Sequence, residues 1–112
     1  MSTQHFTKLL ETTKDLLGRD RFKNIILDNG LELSVKAGVM NYCSPRTSGL
    51  SPEEYTEFEV AVLRGGEIID PNSNVTRTSQ RDGDIFPYLD CDLVQELYEE
   101  LNSLSEEQVK NL

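Results

Sequence analysis

The chain has 112 residues and a net charge of −9, which predicts a single domain over residues 1–112 that can bury a core without a metal or a disulfide framework. Residues 1–50 carry seven Lys or Arg against five Asp or Glu, and residues 51–112 carry four against fifteen. The strongly acidic second half is expected to repel nucleic acid, and no apolar run approaches the roughly 18 residues of a membrane span.

The first predicted element is an amphipathic helix over residues 4–17. Apolar residues recur there at three- and four-residue spacing, and Gly18 follows as a residue that favours a helix end. The predicted buried stripe consists of Phe6, Leu9, Leu10, Thr13, Leu16 and Leu17.

The clearest turn in the sequence is Asn29-Gly30, the preferred pair for a two-residue type I′ turn. It predicts a β-hairpin between residues 22–28 and 31–37, with Ile26 opposite Leu33. In that register the core face carries Ile26, Leu31, Leu33 and Val35, and the opposite face carries Ile25 and Leu27.

A long loop over residues 38–52 follows, and then a strand over residues 55–63 whose apolar residues alternate with glutamates. Gly65-Gly66 predicts a turn into a short strand, Glu67–Ile69. The polar stretch over residues 70–84 is expected to be exposed and mobile.

The remaining chain predicts an edge strand over residues 85–89, since Pro87 cannot donate to a ladder, and then an amphipathic helix over residues 92–102 and a short final helix. These elements predict an α+β fold. Its small antiparallel sheet of four to five strands is built from hairpins, with an N-terminal and a C-terminal helix packed on one face.

The string from Tyr42 to Arg46 combines an aromatic ring, a thiol, a hydroxyl, a proline and a guanidinium. Arg suits capture of a carboxylate or phosphate, and Tyr offers a stacking face. The string is therefore a candidate binding loop for a partner or ligand. The alternative is structural: Tyr42 packs over the sheet edge, Cys43 fills a core gap and Arg46 pairs with a glutamate.

Two further cations, Arg77 and Arg81, lie in the polar stretch and are candidates to close over an anionic ligand held near Arg46. The alternative is that they only keep a flexible loop soluble.

No catalytic or metal-binding set stands out. Cys43 would need a base, and the single histidine, His5, lies near the chain start. One histidine and two isolated cysteines are a poor zinc set. The sequence therefore predicts a non-enzymatic protein without a cofactor or a metal, and unpaired Cys43 and Cys91 predict a reduced, cytoplasmic setting.

The string from Tyr42 to Arg46, followed by the segment from Tyr55 to Val60, resembles small uncharacterised proteins of phages and prophages that carry a Tyr-Cys-x-Pro-Arg string after a β-hairpin. The resemblance covers roughly residues 22–102 and brings no activity with it. It implies a phage-type context, in the host cytoplasm, where small acidic proteins often bind host machinery.

The expected function is thus a small acidic protein-binding or structural module that contacts a protein partner or self-associates. The alternative is a binder of a small anionic or nucleotide-like ligand through the loop from Tyr42 to Arg46. The acidic surface is open to two interpretations, imitation of DNA or simple solubility.

Overall fold

The structure, a computed structural model, describes residues 5–112. The strands are β1 (Thr12–Lys14), β2 (Asp20–Phe22), β3 (Ile25–Ile26), β4 (Leu31–Lys36), β5 (Glu57–Arg64), β6 (Glu67–Ile69) and β7 (Ile85–Asp90). The helices are α1 (Asn74–Arg77), α2 (Cys91–Asn102) and α3 (Glu106–Lys110), and the 3₁₀ turns are Phe6–Lys8 and Pro52–Glu54. This mixture of helices and antiparallel sheet confirms the α+β class.

The main sheet is organised around β5, and all of its pairings are antiparallel. One side of β5 pairs with β4, which pairs in turn with β3. The other side pairs with β6 near one end and with β7 near the other. The predicted alternation along β5 is confirmed, because Phe58, Val60 and Val62 are fully buried.

One face of the sheet is covered by α2 and by the chain segment around Phe6. The buried stripe of α2 consists of Val94, Leu97, Tyr98 and Leu101. Asp90 caps this helix by accepting a hydrogen bond from the Asp92 N–H at 2.8 Å, as the predicted helix start requires. The opposite face of the sheet carries half-exposed polar residues such as Glu32, Ser34 and Lys36.

The predicted N-terminal helix over residues 4–17 is wrong; its first residue lies outside the described residues. The chain forms only a 3₁₀ turn, Phe6–Lys8, and then a separate hairpin in which β1 pairs with β2. Phe6 is buried as expected, but Leu16 and Leu17 at the hairpin tip are among the most exposed apolar side chains described.

Local turn chemistry explains why the hairpin forms despite the helical spacing. Asp15 Oδ1 accepts hydrogen bonds from the N–H groups of Leu17 and Arg19 at 2.8 and 2.9 Å. Gly18 provides the left-handed conformation, with φ of 77°. An aspartate that holds its own turn competes directly with a helix, and Thr12 and Thr13 favour an extended backbone.

The β3–β4 hairpin is present, but its predicted turn type and register are wrong. The Leu27 N–H donates to the Leu31 carbonyl at 2.9 Å, which leaves three residues, 28–30, in the turn. Gly30 has a φ of 95°, whereas Asn29 has no positive φ. A type I′ turn needs positive φ at both positions, so this is a three-residue turn.

The longer turn reverses the faces of β3. Ile25 pairs with Leu33, and Ile26 pairs with Glu32. A one-residue slip sends every side chain of a strand to the opposite face. Ile25 is therefore buried, at 5% exposure, and Ile26 is 67% exposed, contrary to the predicted arrangement.

The polar stretch over residues 70–84, predicted to be exposed, is partly buried in the fold. It contains α1, and Ser73 and Thr76 are each only 1% exposed. The Ser73 hydroxyl donates to Glu100 Oε2 at 2.6 Å, which ties the stretch to α2.

The chain end is fixed by α3, the predicted short final helix, which begins at a capping box formed by Ser105 and Gln108. Arg64 Nη1 donates to the carbonyls of Val109 and Leu112 at 2.9 Å each. Within residues 5–112, no helix combines the length and apolarity needed to traverse a bilayer.

Candidate functional site

The loop after β4 is anchored to the protein by Cys43, which is 2% exposed. Its Sγ accepts a hydrogen bond from the Gly38 N–H at 3.2 Å and lies 3.4 Å from the carbonyl oxygens of Gly38 and Pro45. Cys43 therefore lies inside the loop, in keeping with the alternative in which it fills a core gap.

Two neighbouring side chains fasten the same loop to β5. Ser44 Oγ donates to Glu57 Oε1 at 2.6 Å, and the Ser44 N–H donates to the Glu57 carbonyl at 3.1 Å. Asn41 Nδ2 donates to Glu59 Oε2 at 2.6 Å. These contacts occupy both glutamates and hold the loop backbone in one position.

A group of exposed side chains lies on this loop and on the neighbouring strand β7. We call it the aromatic patch: Tyr42, Arg46 and Tyr88 contact one another, Val39 accepts a hydrogen bond from Arg46 through its carbonyl, and Met40 follows Val39 in the chain. The four uncharged members are between 39% and 67% exposed. Exposed apolar residues that cluster, rather than being scattered singly, are typical of interaction surfaces.

The rings and the guanidinium of the aromatic patch contact one another. The ring centroids of Tyr42 and Tyr88 are 5.8 Å apart at 43°, within the usual range for aromatic pairs. Arg46 Cζ lies 5.5 Å from the Tyr42 ring centroid, and its Nε donates to the Val39 carbonyl at 3.0 Å. The ion pairs seen among residues 5–112 do not include Arg46.

Tyr88 holds its place in the aromatic patch with a strained backbone. Its φ is 54°, a left-handed conformation that is uncommon for a bulky residue. The Tyr88 N–H donates to the Tyr42 carbonyl at 3.0 Å, which links β7 to the loop. Such strain costs on the order of 1–3 kcal/mol and concentrates at functional positions.

The candidate residues Arg77 and Arg81 line a separate cleft of about 120 Å³. Arg81 Nη2 lies 2.8 Å from Asp84 Oδ1 and 3.3 Å from Asp70 Oδ2, and its Cζ lies 5.2 Å from the Phe86 ring centroid. The Asn72 N–H, and next to it Arg81, keep the pKa of Asp70 below its usual value. Arg81 is thus engaged by carboxylates, and the residues lining this cleft do not include Arg46.

The side chains available for catalysis are occupied or dispersed. His5 Nδ1 lies 2.8 Å from Thr7 Oγ1, and Cys43 makes its hydrogen bonds within its own loop. Burial, followed by the charges of Asp92 and Asp90, raises the pKa of the Cys91 thiol. Within the described residues, no three His, Cys, Asp or Glu side chains are grouped so that they could hold a metal ion.

Lys36, on the open face of the sheet, has a lowered pKa. Burial lowers its pKa from 10.5 to about 8, with a further contribution from the Arg21 charge. Its Nζ donates to the Phe22 carbonyl and, at 2.9 Å, to Asn24 Oδ1. The amine thus links β4 to the chain segment before β3.

The lowered pKa of Lys36 predicts a pH-dependent contribution to stability. Below about pH 8 the amine is protonated in both the folded and the unfolded state, and its partial burial opposes folding. Between about pH 8 and 10.5 the folded state binds fewer protons, so the free energy of unfolding is expected to rise relative to a Lys36→Met variant. Urea unfolding of both proteins at several pH values measures this, and a difference that stays constant across the window contradicts it.

Comparison of this chain with known protein families, with characterised proteins and with solved structures finds no match. The likeness of the string from Tyr42 to Arg46 to phage and prophage proteins therefore stays a prediction.

Proposed function

We propose that this chain is a non-enzymatic protein-binding module that contacts its partner through the aromatic patch. The observation that carries the proposal is the exposed pair of Tyr42 and Tyr88. Tyr42, with Arg46 over its ring, lies on a loop held by the hydrogen bonds of Cys43 and Ser44, and Tyr88 lies on β7. A fixed loop binds with less loss of conformational entropy than a flexible one.

The composition of the patch is that of an interface centre. Tyr, Met and Arg are enriched in protein–protein interfaces, and Tyr and Arg dominate among residues whose truncation costs the most binding energy. A tyrosine contributes a large contact area and loses little side-chain entropy on binding. The strain at Tyr88 supports the same interpretation, because the backbone holds an exposed ring next to Tyr42 at a cost in stability.

Arg46 points to the chemistry of the partner surface. In a chain of net charge −9, this guanidinium contacts a ring and a carbonyl oxygen but forms no ion pair within the described residues. A carboxylate of the partner would accept a charge-assisted hydrogen bond from this guanidinium. We therefore expect an Asp or Glu of the partner opposite Arg46.

The unpaired guanidinium also favours a second candidate function, the binding of a small anionic or nucleotide-like ligand. Tyr42 and Arg46 do not line the nearby cleft at Met40 and Asn41, which has a volume of only about 50 Å³, whereas small-molecule sites usually enclose their ligand in about 300–1,000 Å³. The protein-binding function is therefore preferred. The resemblance to phage and prophage proteins supports a host protein as the partner.

The test is quantitative capture from a bacterial lysate with matched variants. A protein held by the wild type is expected to be held at least about 30-fold more weakly by Tyr42→Ala and by Tyr88→Gly, the value for an interface residue worth about 2 kcal/mol. Glycine accepts the left-handed backbone at position 88, so Tyr88→Gly is expected to keep the fold while it removes the ring.

The matched control is Ile68→Ala, which shortens an apolar side chain that is 46% exposed outside the patch. A partner bound equally by the wild type and all three variants would exclude the patch as its contact surface. A thermal-shift screen with nucleotides tests the second candidate: stabilisation that is lost in Arg46→Ala would favour the small ligand over the protein partner.

A further inference from the structure

The main sheet has an open edge at β3, on a different part of the molecule from the aromatic patch. Among the described strands, β3 pairs with β4 alone. A groove of about 450 Å³ runs along its free side, which we call the β3 groove. Its walls include Leu9, Glu11, Ile26, Asp28, Tyr98 and Asn102.

The backbone of Ile26 faces this groove. In antiparallel pairs, residues that exchange hydrogen bonds alternate with residues that do not. Leu27 donates to Leu31 across the hairpin, so Ile25 and Leu33 are the next hydrogen-bonded pair, and Ile26 lies opposite Glu32 without bonding to it. The N–H and C=O of Ile26 therefore point away from β4, and its side chain is 67% exposed.

One end of the groove lies beside Glu11, where the separate β1–β2 hairpin ends. The Lys23 N–H donates to the Glu11 carbonyl at 2.8 Å, just beyond the paired residues of β1 and β2. Before Glu11 the chain turns away towards Phe6, which is buried in the core.

The charges around the groove indicate which kind of chain segment would bind there. Glu11 and Asp28 line it, and Glu99 lies on the same side of α2 as Asn102, three residues away. Lys23 is the cation beside Glu11, with the two charged groups 3.8 Å apart. The rim is thus mostly acidic, and a second copy of a chain with a net charge of −9 would bring like charges together.

We infer that the β3 groove receives an extended, Lys- or Arg-bearing segment of another protein, which adds to the sheet as a strand beside β3. The free N–H and C=O of Ile26 supply the main-chain hydrogen bonds, Leu9 and Tyr98 provide the apolar wall, and Glu11 and Asp28 attract the flanking cations. In strand addition, main-chain bonds give affinity and the alternate side chains give specificity.

Two synthetic peptides that differ only in their end charges test this inference. One is Lys-Thr-Val-Thr-Val-Thr-Lys, and the other has Glu at both ends. With the isotope-labelled protein, the basic peptide is expected to slow hydrogen exchange of the Ile26 amide at least tenfold and the acidic peptide is not. Because the rim charges are exposed, the effect should weaken as salt is added.

Variants separate the main-chain contacts from the charges. Ile26→Pro removes the N–H that faces the groove and leaves the β4 side intact, so binding of the basic peptide, followed by chemical-shift changes of the residues lining the groove, is expected to disappear. The double variant Glu11→Lys and Asp28→Lys should reverse the preference between the two peptides. Tyr42→Ala, in the aromatic patch, should change neither result.

Three outcomes would overturn the inference. The first is that neither peptide protects Ile26, and the second is that both protect it equally. The third is that the Ile26 amide is already protected in a dimeric protein without peptide, which would assign the edge to a second copy of this chain.

Discussion

Replacing Phe6 with alanine is expected to lower the free energy of unfolding by about 3–5 kcal/mol, the usual range for a large aromatic residue removed from a core. The Phe6 side chain is fully buried. Its ring meets that of Phe58 edge to face, with centroids 5.5 Å apart, and its N–H donates to Gln95 Oε1 at 2.7 Å. Phe6 thus joins the N-terminal segment to the sheet through its ring and to α2 through its backbone N–H.

Leu16→Ala is the matched comparison, because a helix over residues 4–17 would bury both side chains on one stripe. In the structure Leu16 is fully exposed at the β1–β2 hairpin tip, so its replacement is expected to change stability by less than about 0.5 kcal/mol. Urea unfolding of the two variants measures the difference. A loss of unfolding free energy for Leu16→Ala as large as that for Phe6→Ala would support the predicted helix and contradict the hairpin.

Replacing Ile25 with alanine is expected to cost about 2–5 kcal/mol, whereas Ile26→Ala should change stability by less than about 0.5 kcal/mol. The two residues are adjacent and chemically identical. They differ because the three-residue turn buries Ile25 and exposes Ile26.

Denaturant unfolding of these two variants decides the register of the hairpin. The two-residue turn favoured by Asn29-Gly30 would reverse the order, with the large loss at Ile26. A reversed order, or equal losses at the two positions, would also remove the backbone argument for the β3 groove.

Elements with a long, regular pattern could be predicted from the sequence. β5 alternates apolar and charged residues over its length, and the sheet buries the expected side chains Phe58, Val60 and Val62. The apolar stripe of α2 and its start near Asp90 were predicted for the same reason. In both elements the periodicity, the end signals and the tertiary packing agree.

The predictions of the N-terminal helix and of the two-residue turn are wrong because a side chain at each place makes hydrogen bonds that periodicity does not reveal. Asp15 accepts from two backbone N–H groups and holds a hairpin where the apolar spacing indicated a helix. Asn29 Nδ2 donates to the carbonyls of Leu101 and Leu104, at 2.8 and 2.9 Å, at the end of α2. These hydrogen bonds join the turn to a distant part of the chain. The turn preference of Asn29-Gly30 reflects only neighbouring residues, so it could not reveal them.

The candidate site was predictable only in part. The string from Tyr42 to Arg46 was predicted from its unusual residue types, and the structure exposes Tyr42 with Arg46 on its ring. Tyr88 was not predicted, because it is distant in sequence and joins the patch through a bulge in the β5–β7 pairing and a left-handed backbone. Neither feature has a signal in the order of apolar and polar residues.

The most direct test of the aromatic patch as a partner surface is site-specific photo-crosslinking with benzoylphenylalanine in place of Tyr42 or, separately, in place of Ile68. Both positions are about equally exposed, at 45% and 46%, and only the first lies in the patch. We expect one protein to be crosslinked from position 42 and not from position 68, and the crosslink to be lost when Arg46→Ala is added. Crosslinking of that protein from position 68 but not from position 42 would contradict the proposed function.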